Sequence, residues 1–169
     1  MKEYASFFEW HDKPRKELGV LEDMLNSLNR TSGANYHSPQ IHRPDPPDCI
    51  CLNALGGHVA VEISELVCQE AARLTAQGEH VMRMWLPGEL RKQIVQLLGE
   101  KDEKTFHGGP YAEIVVCLFT DEPMLGIGHV ISELAASSFG PFRQLSSAFL
   151  LLSHDPNAKS CPALRLNVL

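Results

Sequence analysis

Residues 112–120 are nearly all apolar and rich in β-branched side chains, with no alternation of polar and apolar positions. Such a run suits a central strand buried on both faces, and a strand of that kind needs cover above and below. That requirement frames the rest of the chain. Residues 15–29 place Leu18, Leu21, Met24, Leu25 and Leu28 at helical spacing and end in Asn29-Arg30-Thr31-Ser32-Gly33, so they predict an amphipathic helix. Ahead of it, residues 1–14 hold Phe7, Phe8 and Trp10 and predict a short packed arm or helix ending at Pro14. Residues 33–47 carry four of the eleven prolines and predict a loop. Two strand-like runs follow, residues 49–53 and 58–64, with Gly56-Gly57 between them as a hairpin turn.

Further on, the pattern predicts a helix over residues 65–77, a strand over 80–86 and a helix opened by Pro87 through Leu90, Ile94, Val95 and Leu98. That last helix is expected to reach Lys101 and Lys104, although Gly99 interrupts it. Beyond the loop His107-Gly108-Gly109-Pro110 and the buried run come a helix over 127–137 and strands over 148–153 and 163–168. Asp121-Glu122-Pro123 is expected to be a turn. Hairpins followed by alternating helices and strands predict an α/β domain: one mixed central sheet flanked by helices over residues 1–169. At 169 residues the chain suits a single core.

Composition narrows the function classes. The longest apolar runs are too short to span a bilayer, and no signal-like segment opens the chain, so the expected location is cytoplasmic, away from membranes. The odd count of five cysteines argues for free thiols. Eight histidines invite a transition-metal reading, but His37 and His42 lie outside helical spacing, and Cys49-x-Cys51 lacks a second ligand pair. No Cys/His hydrolase motif is present. A net charge of −6 counts against a general nucleic-acid binder without excluding a local basic patch.

The chemistry lies in two short stretches: Pro47-Asp48 before the strand 49–53, and Val59-Ala60-Val61-Glu62-Ile63-Ser64 on the next strand. Val59, Val61 and Ile63 share one face, and Ala60, Glu62 and Ser64 share the other. A carboxylate inside an apolar strand is costly unless it is paired or binds a cation. A hairpin brings Asp48 and Glu62 together, and two close carboxylates repel unless a cation sits between them. A hard ion such as Mg²⁺ or Mn²⁺ takes oxygen ligands of this kind.

These motifs resemble the PD-(D/E)XK nuclease superfamily, which has an acid on a first helix, a Pro-Asp before a strand and a (D/E)-x-K on the neighbouring strand. The resemblance covers roughly residues 15–120 and implies a restriction-endonuclease-like core that hydrolyses phosphodiester bonds of nucleic acid with a divalent ion. Pro47-Asp48 and Glu62 match it. An earlier Pro44-Asp45 is separated from the strand by two prolines. Glu17, on the apolar face of the first helix, matches the helical acid, with Glu22 as second choice. Ser64 stands where the family has lysine and cannot supply its charge. Some relatives move the basic residue to a nearby helix, which makes Lys101 and Lys104, spaced i, i+3, the candidates for a relocated base or phosphate contact; Lys92 is a weaker one, and Gln69 is a minor polar candidate. The catalytic expectation is therefore Glu17, Asp48, Glu62, Lys101 and Lys104, with metal on Asp48 and Glu62. The alternative is an inactive relative serving as a binding or interaction module. A homodimer, formed through C-terminal strands, is a further alternative.

Overall fold

The computed structural model describes residues 11–79, 85–122 and 125–169. The expected N-terminal arm falls largely on residues 1–10, and most of the strand expected over 80–86 on residues 80–84; both lie outside the described residues.

Among the described residues six strands form one mixed sheet in the order β1-β2-β3-β4-β5-β6. They are β1 (His37–Ile41), β2 (Cys49–Leu52), β3 (His58–Glu65), β4 (Glu113–Phe119), β5 (Ser147–Leu151) and β6 (Ala163–Leu166). β3, β4 and β5 run parallel to one another, and the remaining neighbours pair antiparallel. The run that looked most buried is β4, in the middle of the parallel part, and its positions from Val115 to Phe119 are all buried.

Helices cover both faces. The helix α1 (Lys13–Ser32) lays Val20, Leu21, Met24, Leu25 and Leu28 on one face, against Val59, Val61, Ile63, Val115, Cys117 and Phe149. The other face packs Val116, Leu118, Ala148 and Leu150 against Leu90, Ile94 and Leu98 of the helix α3 (Glu89–Asp102). The shorter α2 (Gln69–Ala76) and α4 (Ile127–Leu134) complete the described helices. No described helix is long and apolar enough to cross a membrane.

Several boundaries differ from expectation for identifiable reasons. Pro14 does not end an arm. It sits in the first turn of α1, where its missing N–H costs nothing. Within the expected loop 33–47 lies β1, a mostly exposed edge strand. An edge tolerates Pro39 and leaves no alternating face for the sequence to display. The helix expected from Glu65 starts at Gln69 instead, because parallel pairing with β4 runs on to Glu65 opposite Phe119, and Leu66 N–H then donates to the Phe119 carbonyl at 2.7 Å. Gly99 does not interrupt α3; a Cβ there would meet nothing, so the helix bears only the intrinsic cost of glycine, about 1 kcal/mol. The helix does stop at Asp102, which leaves Lys104 beyond its end.

The β2–β3 hairpin forms as read. Gly56 has φ +79°, and the Asn53 side chain accepts from the N–H groups of Leu55 and Gly57 at 3.1 and 2.9 Å. Gly57 is required by space, since a Cβ there would lie 2.8 Å from that of Ala112.

The same end of the sheet is tied by Glu113, which accepts from Tyr36 Oη at 2.8 Å and from Asn53 Nδ2 at 2.9 Å. Burial, helped by the Glu113 hydrogen bond and charge, pushes the Tyr36 hydroxyl up to about 12 from its ordinary 10.0. A raised acid keeps its proton in the folded state while the unfolded chain loses it. The hydroxyl's contribution is therefore complete below pH 10 and fades as pH rises toward 12. In urea titrations, Tyr36→Phe is expected to be less stable than wild type at pH 8 and to close that gap between pH 10 and 12.

Candidate metal centre

In the β2–β3 ladder Cys49 pairs with Val61 and Ile50 with Ala60, so the next step of the register sets Asp48 across from Glu62. Both acids are buried, Asp48 at 2 % and Glu62 at 0 % exposure. Glu62 is opposite Val116 on β4 and faces the α3 side of the sheet. The hairpin thus achieves what its sequence implied: two carboxylates side by side within a sheet.

Glu62 is compensated unevenly. Its Oε2 accepts from Lys101 Nζ at 2.7 Å and from Lys104 Nζ at 2.6 Å. Its Oε1 is buried and has no hydrogen-bond partner among the described residues. A buried carboxylate oxygen without a donor is expensive. Asp48 Oδ2 accepts from the Ile63 N–H at 2.8 Å, with Lys101 Nζ at 3.9 Å. Lys101 also donates to the Ile63 carbonyl at 3.4 Å. Two ammonium groups therefore reach Glu62, Lys101 from the last turn of α3 and Lys104 from just after it.

Asp45, Asp48 and Glu62 each offer a ligand atom within 4.8 Å of the others, a group that could hold a metal ion. Asp45 is exposed and is the residue the sequence reading set aside. The signal for it was present in Pro44-Asp45, but two prolines appeared to carry it away from the strand. The chain instead folds back, with His42 N–H donating to the Asp48 carbonyl at 3.1 Å.

Glu17 is buried at 6 % on α1, where its apolar face placed it, and it pairs with Lys13 at 3.2 Å. It acts on the cluster through its charge rather than as a member of the three-carboxylate group. Burial raises the Glu17 carboxyl above its ordinary value, Asp48 adds to the rise, and Lys13 opposes it. Asp48 is likewise raised, first by burial and then by the charges of Glu62 and Asp45, against the Ile63 N–H and Lys101. Burial alone would lower Lys104, but the hydrogen bond and charge of Glu62 outweigh it and the ammonium is raised. Of the three carboxylates it is Asp48 whose ionisation is opposed, by burial and by the neighbouring negative charge.

No protein-family description, curated protein or solved structure matches this chain.

The remaining candidates lie elsewhere. Lys92 and Gln69 are exposed, on the N-terminal half of α3 and at the start of α2. Cys49 and Cys51 point into the α1-side core, where burial pushes both thiols up to about 12, so they serve as small apolar side chains. All five cysteines are buried thiols outside any disulfide. Glu122 accepts from the Cys68 N–H at 3.0 Å ahead of α2, a structural task for a residue expected in a turn.

Proposed function

We propose that this chain is a metal-dependent nuclease with a restriction-endonuclease-like core, hydrolysing phosphodiester bonds of nucleic acid with Mg²⁺ or Mn²⁺. The observation that carries the reading is Glu62: wholly buried, one oxygen held by two lysines and the other without a partner among the described residues, beside Asp48 and Asp45. The order of parts supports it too, with α1 and the edge strand β1 ahead of the Pro-Asp strand and an acid on that strand's antiparallel neighbour.

In this arrangement Glu62, Asp48 and Asp45 would hold the cation, with hard oxygen donors suited to Mg²⁺ or Mn²⁺. A divalent ion there supplies Lewis acidity, making water a competent nucleophile at neutral pH and offsetting charge on a phosphoryl oxygen. Lys101, 12 % exposed and bridging both acids, orients the carboxylates. Lys104 is 33 % exposed and presents its ammonium toward an arriving phosphate. Glu17 adds negative potential from the α1 side.

Ser64 favours a second reading, an inactive relative that binds without cleaving, because the usual lysine position is empty of charge. The position of Lys101 argues for the first.

A thermal melt tests the site. At a Mn²⁺ concentration of 100 times Kd, binding stabilises the folded state by about 2.7 kcal/mol. For a chain of this length that raises Tm by roughly 5–10 °C. Wild type is expected to show this rise and Glu62→Gln to show none. Equal shifts in the two proteins would remove the metal centre from Glu62.

A further inference from the structure

Lys104 reaches Glu62 although the helix that was expected to carry it ends two residues earlier, at Asp102. Its N–H donates back to the Lys101 carbonyl at 3.3 Å, and a clasp from the segment just before β5 holds the chain on either side of it. Gln144 Nε2 donates to the Asp102 carbonyl at 2.6 Å and to the Lys104 carbonyl at 2.7 Å. Carbonyls at a helix C-terminus lack partners of their own, and a single amide NH₂ has two hydrogens with which to satisfy two of them. In return the Asp102 carboxylate, 7 % exposed, accepts the N–H groups of Arg143, Gln144 and Leu145 at 2.8, 3.0 and 3.2 Å. Those bonds hold the Asp102 carboxyl below its ordinary value, against burial, which would raise it. Leu145 itself is fixed in the α3-side core. Downstream, His107 N–H donates to the Pro46 carbonyl at 2.8 Å, two residues before Asp48. Residues 102–107 thus form a strap fastened at both ends, with Lys104 between the fastenings.

We propose that Gln144 is a positioning residue, which through the Asp102 and Lys104 carbonyls sets the Lys104 ammonium on Glu62. The inference rests on the metal-centre reading for its link to turnover, but its geometry stands apart from it. Lys101 is held by the body of α3, so Gln144 governs one lysine and leaves the other in place. A glutamate at this position keeps the shape, loses both donors and sets carboxylate oxygens against two carbonyls.

The test compares Gln144→Glu with Gln96→Ala, which removes an exposed contact to Glu100 on α3 and leaves the strap untouched. Side-chain NMR of ¹³C,¹⁵N-labelled lysine, assigned with Lys101→Met and Lys104→Met, reads the two ammonium groups directly in metal-free protein. In Gln144→Glu the Lys104 signal is expected to move to the position of an exposed lysine, while Lys101 stays put. Gln96→Ala is expected to move neither. In Mn²⁺-dependent cleavage, kcat is expected to fall roughly 10- to 100-fold with KM unchanged. An unmoved Lys104 signal in folded Gln144→Glu overturns the proposal. If Gln144→Glu does not fold, Gln144→Met, which also lacks the donors, is read in the same way. If wild type cleaves nothing while Lys104 still moves, positioning stands and the nuclease reading fails.

Discussion

Replacing Lys101 and Lys104 together by methionine is expected to destabilise the metal-free protein by about 3–5 kcal/mol, the usual consequence of stripping a buried charge of its partners. Glu62 has no exposure, and among the described residues its close cationic contacts are these two lysines on Oε2. Either single substitution leaves one ammonium within 2.7 Å and is expected to cost less than half of the double. Two additions separate charge from packing. Glu62→Met in the double background removes the stranded carboxylate and is expected to recover most of the loss, since apolar groups of similar volume replace buried ion pairs at little cost. Mn²⁺ added to the double variant supplies a substitute cation and is expected to restore about 2.7 kcal/mol at 100 times Kd. Urea titration in chelator and in Mn²⁺ measures all of these. A double variant within 1 kcal/mol of wild type in chelator, on the order of surface-charge changes, would mean that the lysines do not neutralise Glu62.

Asp48→Asn with Glu62→Gln is expected to lower Mn²⁺-dependent cleavage of nucleic acid by at least about 10³-fold, equivalent to about 4 kcal/mol of transition-state stabilisation. These amides keep the volume and hydrogen-bonding shape of the acids and remove the charge that holds the cation, so a folded, inactive protein is the expected product. Lys104→Met should lose roughly 10²–10³-fold, the range for deleting one group aimed at developing charge. Single- and double-stranded DNA and RNA, each labelled at one end and tested at low salt, cover the substrate classes. Cleavage that survives in the double amide variant would move the chemistry away from β2 and β3. Wild type that binds Mn²⁺ and cleaves none of the four substrates would favour the inactive relative.

The features legible in the sequence were those written in local periodicity. The Pro47-Asp48 strand, the Gly56-Gly57 turn and Glu62 interrupting Val59, Val61 and Ile63 announced a hairpin and its paired acids, because a two-residue repeat and a tight turn leave little freedom in register. The uninterrupted 112–120 run announced the sheet's centre. What escaped depended on tertiary partners. β1 has no buried face to imprint a pattern. Asp45 joins the acids only because the proline-rich segment turns back over the hairpin. Lys101 and Lys104 were singled out from their spacing on one helix, yet Lys104 arrives by a different route, on a strap that Gln144 holds from 40 residues away. Nothing near Gln144 in the chain marks it for that task.

Diffraction from crystals soaked in Mn²⁺, measured at a wavelength where manganese scatters anomalously, addresses the central claim most directly. The expected result is one anomalous peak bound by Asp48 and by Glu62 through Oε1, with Lys101 still seated on Oε2. A peak elsewhere, or no peak at a concentration that saturates other Mn²⁺ proteins, would contradict it.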